Sequence, residues 1–595
     1  ANTEQIKQII GIAEKDPAGW RNTTLEERHR IMFEAANRLG GMRGDLIGSM
    51  CAVTGKTVVE GDVEVSEGID YARFYTTTMK KFAALHDVDI TSKGTILVIS
   101  PWNFPCAIPI GGIVAGLAGG NTVILKPATV AAPVAWLFAK AFWDAGVPKE
   151  ALQVIITDRE ALKELTTAPA IKHIILTGGT DTAQSIARIN PSTPLSAETG
   201  GKNAIILTAS GDRDHAIMNI VTSAFGNAGQ KCSACSLLLV ERSVYEDKNF
   251  QDKLKDAATS IKVGSVWEAG NVVGPMITNR NDKLLQALTL EPGESWLVPP
   301  KFIDEKQYIL APTVKWGVKP GSYSFRTELF GPMLSVACID NLQQGIELVN
   351  SLDYGLTSGL QSLDENEQKL WKDSILAGNL YINRGITGAI VNRQPFGGMK
   401  LSAFGGGVKA GGPNYCACLV KITDKPESNT DYKQSYPHAY EEEFAHARDI
   451  NKLYGEQNAF RYLPLKNMVL RLFPGDSNEE AEMIALATKL CHTPLTISFD
   501  PNDDRTTALS STGCTLKKET LDEFLKTMRS YERIRTCGAD IPMEMYEEAA
   551  RRNKYIATAK PVKNGRVELI HYIKEQSISF EFHRYGSILD VPPVE

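Results

Sequence analysis

Gly94-Thr95-Ile96-Leu97-Val98-Ile99-Ser100 is followed at once by Pro101-Trp102-Asn103-Phe104-Pro105, then by a helical stretch to Gly119, then by Thr122-Val123-Ile124-Leu125. Two apolar, β-branched runs, each too short for a helix, flank one segment of helix length. That order predicts a strand, a crossover helix and a parallel strand. Working outward, a helical stretch runs from Pro133, suited to a first helical turn, to Ala145. Gln153-Val154-Ile155-Ile156 and His173-Ile174-Ile175-Leu176 repeat the strand pattern. The alternation predicts an α/β fold built on a doubly wound parallel sheet.

Upstream, residues 1 to about 86 read as helices, with Ile31, Met32, Ala35, Ala36 and Leu39 at helical spacing. Thr24 followed by Glu27 has the form of a capping box. Downstream, a second α/β block spans about 203–420, with strands at Leu237–Val240, Leu334–Cys338 and Asn379–Asn383. The chain becomes more charged near 421. Asp424–Tyr440, with Pro426, Ser428, Asn429 and Pro437, reads as a polar linker. A smaller series follows: a strand at Met468–Leu472, a helix at Asn478–Leu490 and a strand at Leu495–Phe499. The boundaries are therefore 1–202, 203–420, a linker at 421–440, and 441–595.

The 595 residues suffice for several cores, and a net charge of −6 argues against a polyanion-binding protein. No nucleic-acid partner is expected. Ten irregularly spaced cysteines do not make a disulfide scaffold, so a reducing, cytoplasmic setting is the simpler reading. The apolar stretch Cys106–Gly120 is too short to span a bilayer and is broken by Pro109 and glycines. Glu4, Lys7, Glu14 and Lys15 leave no signal-peptide pattern at the start.

The chemistry concentrates in Phe225-Gly226-Asn227-Ala228-Gly229-Gln230-Lys231-Cys232-Ser233-Ala234. A cysteine after a Gly-bearing turn can meet backbone N–H groups, which lower a thiol pKa and make a nucleophile. A buried structural cysteine is as compatible with this segment alone. Cys232 and Cys235 also fit C-x-x-C, but no second pair and no paired-histidine motif accompanies them, so no metal site is expected. Gly405-Gly406-Gly407-Val408-Lys409-Ala410 fits G-x-G-x-x-A, yet follows no strand and opens no helix, and is discarded as a dinucleotide fingerprint. Thr177-Gly178-Gly179-Thr180 sits between a strand and a helix, where N-terminal amides favour a pyrophosphate. An ordinary capped turn is the alternative.

Five segments occur in the order found in the aldehyde dehydrogenase superfamily, which residues 1–415 resemble. They are Ser100-Pro101-Trp102-Asn103-Phe104-Pro105, Leu125-Lys126-Pro127-Ala128, Glu198-Thr199-Gly200-Gly201-Lys202-Asn203, the Cys232 segment, and Glu328-Leu329-Phe330-Gly331-Pro332. The resemblance implies a Rossmann-like NAD-binding domain and an α/β catalytic domain. Cys232 would attack an aldehyde, Asn103 and the Cys232 N–H would hold the oxyanion, and Glu198 would activate the hydrolytic water. Ser100, Pro101, Trp102, Lys126, Thr177, Gly178, Gly179, Thr180, Glu328 and Phe330 would bind NAD. Gly179 stands where most relatives carry Ser. Thr129 stands where many NAD users carry Glu, and leaves NADP open.

Gly378-Asn379-Leu380-Tyr381-Ile382-Asn383-Arg384, Thr387-Gly388-Ala389-Ile390-Val391 and Gln394-Pro395-Phe396-Gly397-Gly398 resemble the L-glutamate γ-semialdehyde (1-pyrroline-5-carboxylate) dehydrogenase branch. Ser233, Gly388 and Ala389 would then hold the substrate α-carboxylate, with Phe396 and Phe104 along its methylenes. Another short acidic semialdehyde, such as succinate semialdehyde, is the second reading, and a silent binding protein the third. Phe404–Tyr415 is similar to bifunctional proline utilization A proteins, some of which carry a degenerate tail. Residues 455–472 resemble the segment that normally precedes Ser-Pro-Trp-Asn, but nothing in the tail matches Cys232 or Glu198. The tail is thus expected to be a non-catalytic Rossmann-like module that docks on the dehydrogenase and helps close its substrate entrance; an appended stabilising or oligomerising module is the alternative. The resemblance further implies that the chain is a piece of a longer polypeptide with a proline dehydrogenase domain upstream, and admits a homo-oligomer.

Overall fold

Five parallel strands and one antiparallel edge strand form the first sheet, in the order Ala403–Phe404, Leu195–Glu198, Ile171–Thr177, Thr95–Ile99, Thr122–Lys126, Leu152–Val154. The strand earliest in sequence lies centrally, with later strands added on both sides, which is the doubly wound arrangement expected from the βαβ reading. The computed structural model describes residues 1–278, 281–306, 308–503, 505–538 and 540–588. The crossover helix Ala107–Ala118 is buried almost throughout. A Cβ on Gly112 would stand 2.9 Å from Val98 Cγ1, and one on Gly116 2.8 Å from Val123 Cγ2. These glycines break the apolar stretch because the helix lies directly on its own strands.

The helices Thr3–Lys15, Leu25–Gly41, Arg43–Thr54 and Val58–Ala83 precede the sheet. Ile31, Met32, Ala35, Ala36 and Leu39 form the buried face of the second. Only half of the expected capping box forms. Thr24 accepts from the Glu27 N–H at 3.2 Å, while the Glu27 carboxylate turns to Arg30.

The second sheet has nine strands: Glu456–Pro464, Ile573–Glu581, Asn379–Ile382, Thr357–Gln361, Asn203–Leu207, Cys235–Glu241, Met333–Ile339, Thr313–Trp316 and Ser295–Val298. Its first two strands come from the tail. Ile573–Glu581 pairs parallel with Asn379–Ile382, Ser577 opposite Asn379, and Glu456–Pro464 closes the edge antiparallel. The rest of the tail forms its own parallel sheet, ordered Thr515–Lys518, Leu495–Phe499, Met468–Arg471, Arg533–Arg535, Tyr555–Ala557. This repeats the doubly wound order of the first sheet.

The segment read as a linker is built structure instead. Val420–Asp424 pairs antiparallel with Val88–Ser92. Tyr432–Ala439 is a helix that continues into Tyr440–Phe444. Its polar composition is that of one face. Tyr432 and Tyr436, four residues apart, are buried, and the Tyr436 hydroxyl donates to the Val562 carbonyl at 2.7 Å. No helix among the described residues is long and apolar enough to cross a membrane.

Candidate active site

The helix Arg213–Phe225 ends on the Gly226–Gly229 turn, in which Asn227 and Ala228 both adopt left-handed backbone (φ 54° and 53°). Such values in non-glycine residues persist only where neighbours over-determine them. Here the Gln230 carbonyl accepts from Asn103 Nδ2 at 3.0 Å, and Gln230 Oε1 accepts from the Ile277 N–H at 2.8 Å. The Cys232 carbonyl accepts from Asn203 Nδ2 at 2.6 Å. Asn103 and Cys232, 129 positions apart in the sequence, thus meet on one loop. The second N–H of the Asn103 amide is left to serve another acceptor.

The backbone N–H groups of Ser233 and of Cys232 itself reach the Cys232 sulfur, but they do not make it acidic. Burial, reinforced by the Glu328 and Glu198 carboxylates, pushes the thiol up to about 12. The sequence reading expected the reverse. The loop supplies the anticipated donors, yet the tertiary fold adds two carboxylates and withdraws water, and these dominate. Cys235 begins the strand Cys235–Glu241, is fully buried, and its thiol donates to the Leu237 carbonyl at 3.4 Å. It is a core residue, and every cysteine in the chain is free.

Glu198 ends the strand Leu195–Glu198, and its Oε2 accepts from the Gly398 N–H at 3.0 Å. Burial raises its carboxyl well above the usual range, opposed by the Lys409 ammonium and the Gly398 N–H. Lys409 belongs to the discarded glycine motif. It is buried, donates to Gly397 O at 2.5 Å and Asn379 Oδ1 at 2.8 Å, and is pushed down by the same burial. Sequence reasoning missed it because the glycines around it were tested only against a phosphate loop.

Glu328 Oε1 accepts from the Gly201 N–H at 2.9 Å, beside Glu198. A Cβ on Gly200 would fall 2.7 Å from the Glu328 carboxyl carbon, so only glycine lets this carboxylate approach. Phe330 meets the Trp102 ring edge to face, with centroids 5.7 Å apart. Lys126 ends Thr122–Lys126 next to Ser100, whose Oγ is buried and has no hydrogen-bond partner among the described residues. At the Thr177–Thr180 turn, the Gly178 N–H is already taken by the Glu198 carbonyl at 3.1 Å. Gly179 caps the helix Thr180–Ile189 without a side-chain bond, and the Thr180 hydroxyl donates to Tyr354 at 3.4 Å.

Gly388 has φ 116° and open space where a side chain would start, so its backbone is approachable. Phe396 is half-buried and bonds through its backbone to Ala410. Lys56 Nζ sits 3.8 Å over the Phe104 ring. A second missed pair is Lys231, next to Cys232, with Glu60 at 2.7 Å. No sequence signal joined them, because they are 171 residues apart.

The tail lacks such a constellation. Where the strand Met468–Arg471 leads into the helix Asn478–Leu490, at the position of a phosphate loop, stand Asp476 and Glu480. Their carboxylates accept from the Phe473 and Ser477 N–H groups at 2.7 and 2.9 Å. Negative groups already bonded to those amides disfavour a pyrophosphate.

The sequence profile of the aldehyde dehydrogenase family matches residues 1–423. A 1-pyrroline-5-carboxylate dehydrogenase of Geobacillus sp. (strain WCH70) is 33% identical over 438 residues, 70% of this chain and 84% of that protein. Among solved structures, Proline Utilization A from Corynebacterium freiburgense is 37% identical with a TM-score of 0.87, over 99% of this chain and 60% of that one. A Thermus 1-pyrroline-5-carboxylate dehydrogenase with bound NAD is 31% identical with a TM-score of 0.67, over 71% of this chain and 85% of that one. The Corynebacterium likeness extends through the tail, whereas the present chain spans three fifths of that longer protein.

Proposed function

Because the chain belongs to the aldehyde dehydrogenase family, we propose that it oxidises L-glutamate γ-semialdehyde to L-glutamate, with NAD as the hydride acceptor. The observation that carries this reading is that Asn103 bonds to the loop of Cys232 while the Glu198 carboxylate acts on the Cys232 thiol. The Cys232 thiol gives its proton to water, and the sulfur bonds to the aldehyde carbon as the carbonyl π pair moves onto oxygen. The oxyanion is held by the free N–H of Asn103 Nδ2 and by the Cys232 N–H; each such donor is commonly worth about 3 kcal/mol. After hydride loss the adduct is a thioester. Glu198 takes a proton from water, the oxygen attacks the thioester carbon, and the thiol leaves.

The residues present fit a dinucleotide. Ser100 Oγ lacks a bond, and Lys126 has no carboxylate partner among the described residues. Lys126 would hold the adenosine ribose, Glu328 the nicotinamide ribose, the N–H groups of Gly179 and Thr180 the pyrophosphate, and Trp102 with Phe330 would flank the ring. When bound, the nicotinamide supplies the hydride acceptor and a positive charge that favours a nearby thiolate. Glu328 must leave the Gly201 N–H, or share it, to reach a ribose. Thr129 places no carboxylate against a 2′-phosphate, so NADP is the comparison cofactor.

The Ser233 hydroxyl and the Gly388 and Ala389 N–H groups would hold the α-carboxylate. The Lys231–Glu60 pair offers one charge of each sign to a zwitterionic substrate. Residues 1–202 would hold the cofactor and supply Asn103 and Glu198, 203–420 would supply Cys232 and the substrate contacts, and 441–595 would close the substrate entrance. The likeness to the longer Corynebacterium protein supports a proline dehydrogenase domain upstream.

NADH absorbance tests the reading with glutamate semialdehyde, succinate semialdehyde and a simple aliphatic aldehyde. The first is the expected preferred substrate. Ser233→Ala should raise KM for it and barely move KM for the aliphatic aldehyde, which lacks the carboxylate. Equal changes for both would remove the anchor.

A further inference from the structure

Glu575 lies on the tail strand Ile573–Glu581, 166 residues beyond Lys409. Both side chains are buried, at 4% and 1% exposure. Glu575 Oε2 accepts from the backbone N–H of Lys409 at 2.6 Å, and its Oε1 accepts from Asn414 Nδ2 at 2.8 Å. On the other side, Lys409 Nζ binds the Gly397 carbonyl. That carbonyl and the Gly398 N–H are two ends of one peptide group, and the N–H end donates to Glu198. The ammonium therefore polarises the very amide that binds the base. A methyl on Gly397 would stand 3.1 Å from Glu198 Oε1 and 3.2 Å from Lys409 Cγ, so both side chains close on this glycine.

An isolated ammonium at this depth would shed its proton. Glu198 and Glu575 are the carboxylates that oppose this. Facing Glu198 are Lys409, the Gly398 N–H, the Cys232 thiol and the Tyr71 and Tyr415 phenols. Facing Glu575 are Lys409, Arg566, Asn414, Tyr462 and the Cys418 thiol. Among the described residues, Lys409 is the cation that acts on both carboxylates.

We infer that Glu575, supplied by the C-terminal module, is a positioning residue for thioester hydrolysis: it holds the Lys409 backbone and favours a charged Lys409 against the peptide that binds Glu198, and so favours the unprotonated form of that base. The inference rests on the reading of Glu198 as the hydrolytic base. It gives the tail a chemical role in addition to covering the site. Loss of the Glu575 charge lets Lys409 become neutral, and Glu198 then holds its proton to higher pH.

The test is the pH profile of thioester hydrolysis in the full chain at saturating NAD, followed as steady-state NADH release after the first-turnover burst. Wild type should show an acidic limb that Glu198→Gln abolishes. Persistence of that limb in Glu198→Gln would fell the base assignment itself. Given the control, Glu575→Gln should move the limb up by about one pH unit, which is about a tenfold loss of turnover below it. The burst amplitude should stay. Lys409→Met should shift the limb the same way, and Glu575→Gln should add no further shift in that background. A limb that is unmoved or moved down in Glu575→Gln, with turnover lowered evenly across pH, would overturn the inference. Should Glu575→Gln fail to fold, an unmoved limb in Lys409→Met would overturn it equally.

Discussion

At Cys232 the local sequence and the surroundings pull in opposite directions. The turn supplies backbone donors, while burial and two carboxylates hold the proton on sulfur. The sulfur therefore rests as a thiol rather than as a standing thiolate. Cys232→Ser should abolish aldehyde oxidation, whereas Cys235→Ser, which alters a core thiol, should largely retain it. A dead Cys235 variant with an active Cys232 variant would reverse the assignment. For Glu198 the sign follows from burial. Its carboxyl titrates above the ordinary carboxylate range of about 4.3, so the base is lost as pH falls through a value nearer neutrality. Glu198→Gln should keep a single-turnover NADH burst and slow the steady state, because attack on the aldehyde survives and water activation does not. Equal loss of both phases would contradict a hydrolytic role.

Among the elements, the helix Ala107–Ala118 carries the most consequence, because it begins just after Asn103. Its N-terminal N–H groups on Cys106 and Ala107 are bound by Glu64 Oε1 at 2.7 and 3.1 Å, and Lys56 Nζ pairs with Glu64 Oε2 at 2.6 Å. Both charged side chains are almost fully buried. Lys56→Met would leave a buried carboxylate with no cation at 2.6 Å, at a cost of about 3–5 kcal/mol. A lowered urea midpoint is the expected result, together with weaker catalysis as the Asn103 amide loses its support. An unchanged midpoint would mean that the helix amides alone satisfy Glu64. The loop from Arg384 to Phe396 is held differently. Arg384 and Arg393 both bind Glu456 of the tail, so the proposed carboxylate nest is braced by an element far along the chain.

In the whole molecule, the tail supplies two strands of the nine-stranded sheet. Deleting residues 425–595 would strip Ile573–Glu581 from Asn379–Ile382 and leave Leu380 and Ile382 on an open edge. Open apolar edges recruit other chains. The truncated protein should therefore lose turnover and sediment as aggregates, which size-exclusion chromatography would report. A monodisperse truncation with full activity on glutamate semialdehyde would show that the tail is dispensable.

Much was legible in the chain itself wherever the information is local. Period and turn chemistry marked Leu495–Phe499 and Asn478–Leu490 to the residue, because strand and helix patterns repeat within one element. The order of the five motifs carried the family and named Cys232, Glu198 and Asn103. The tail was legible as a Rossmann-like series, but its strands Glu456–Pro464 and Ile573–Glu581, which join another domain's sheet, were not. Pairing partners more than 100 residues apart leave no trace in hydrophobic period. For the same reason Tyr432–Ala439 read as linker, since one buried face in a polar segment needs a partner surface to be recognised. The protonation of Cys232 and Glu198, the ion pair of Lys231 with Glu60, and the line from Glu198 through Lys409 to Glu575 were decided only by the tertiary structure. Each depends on which distant charges share a dry interior, and solvation and charge proximity are properties of the packed molecule.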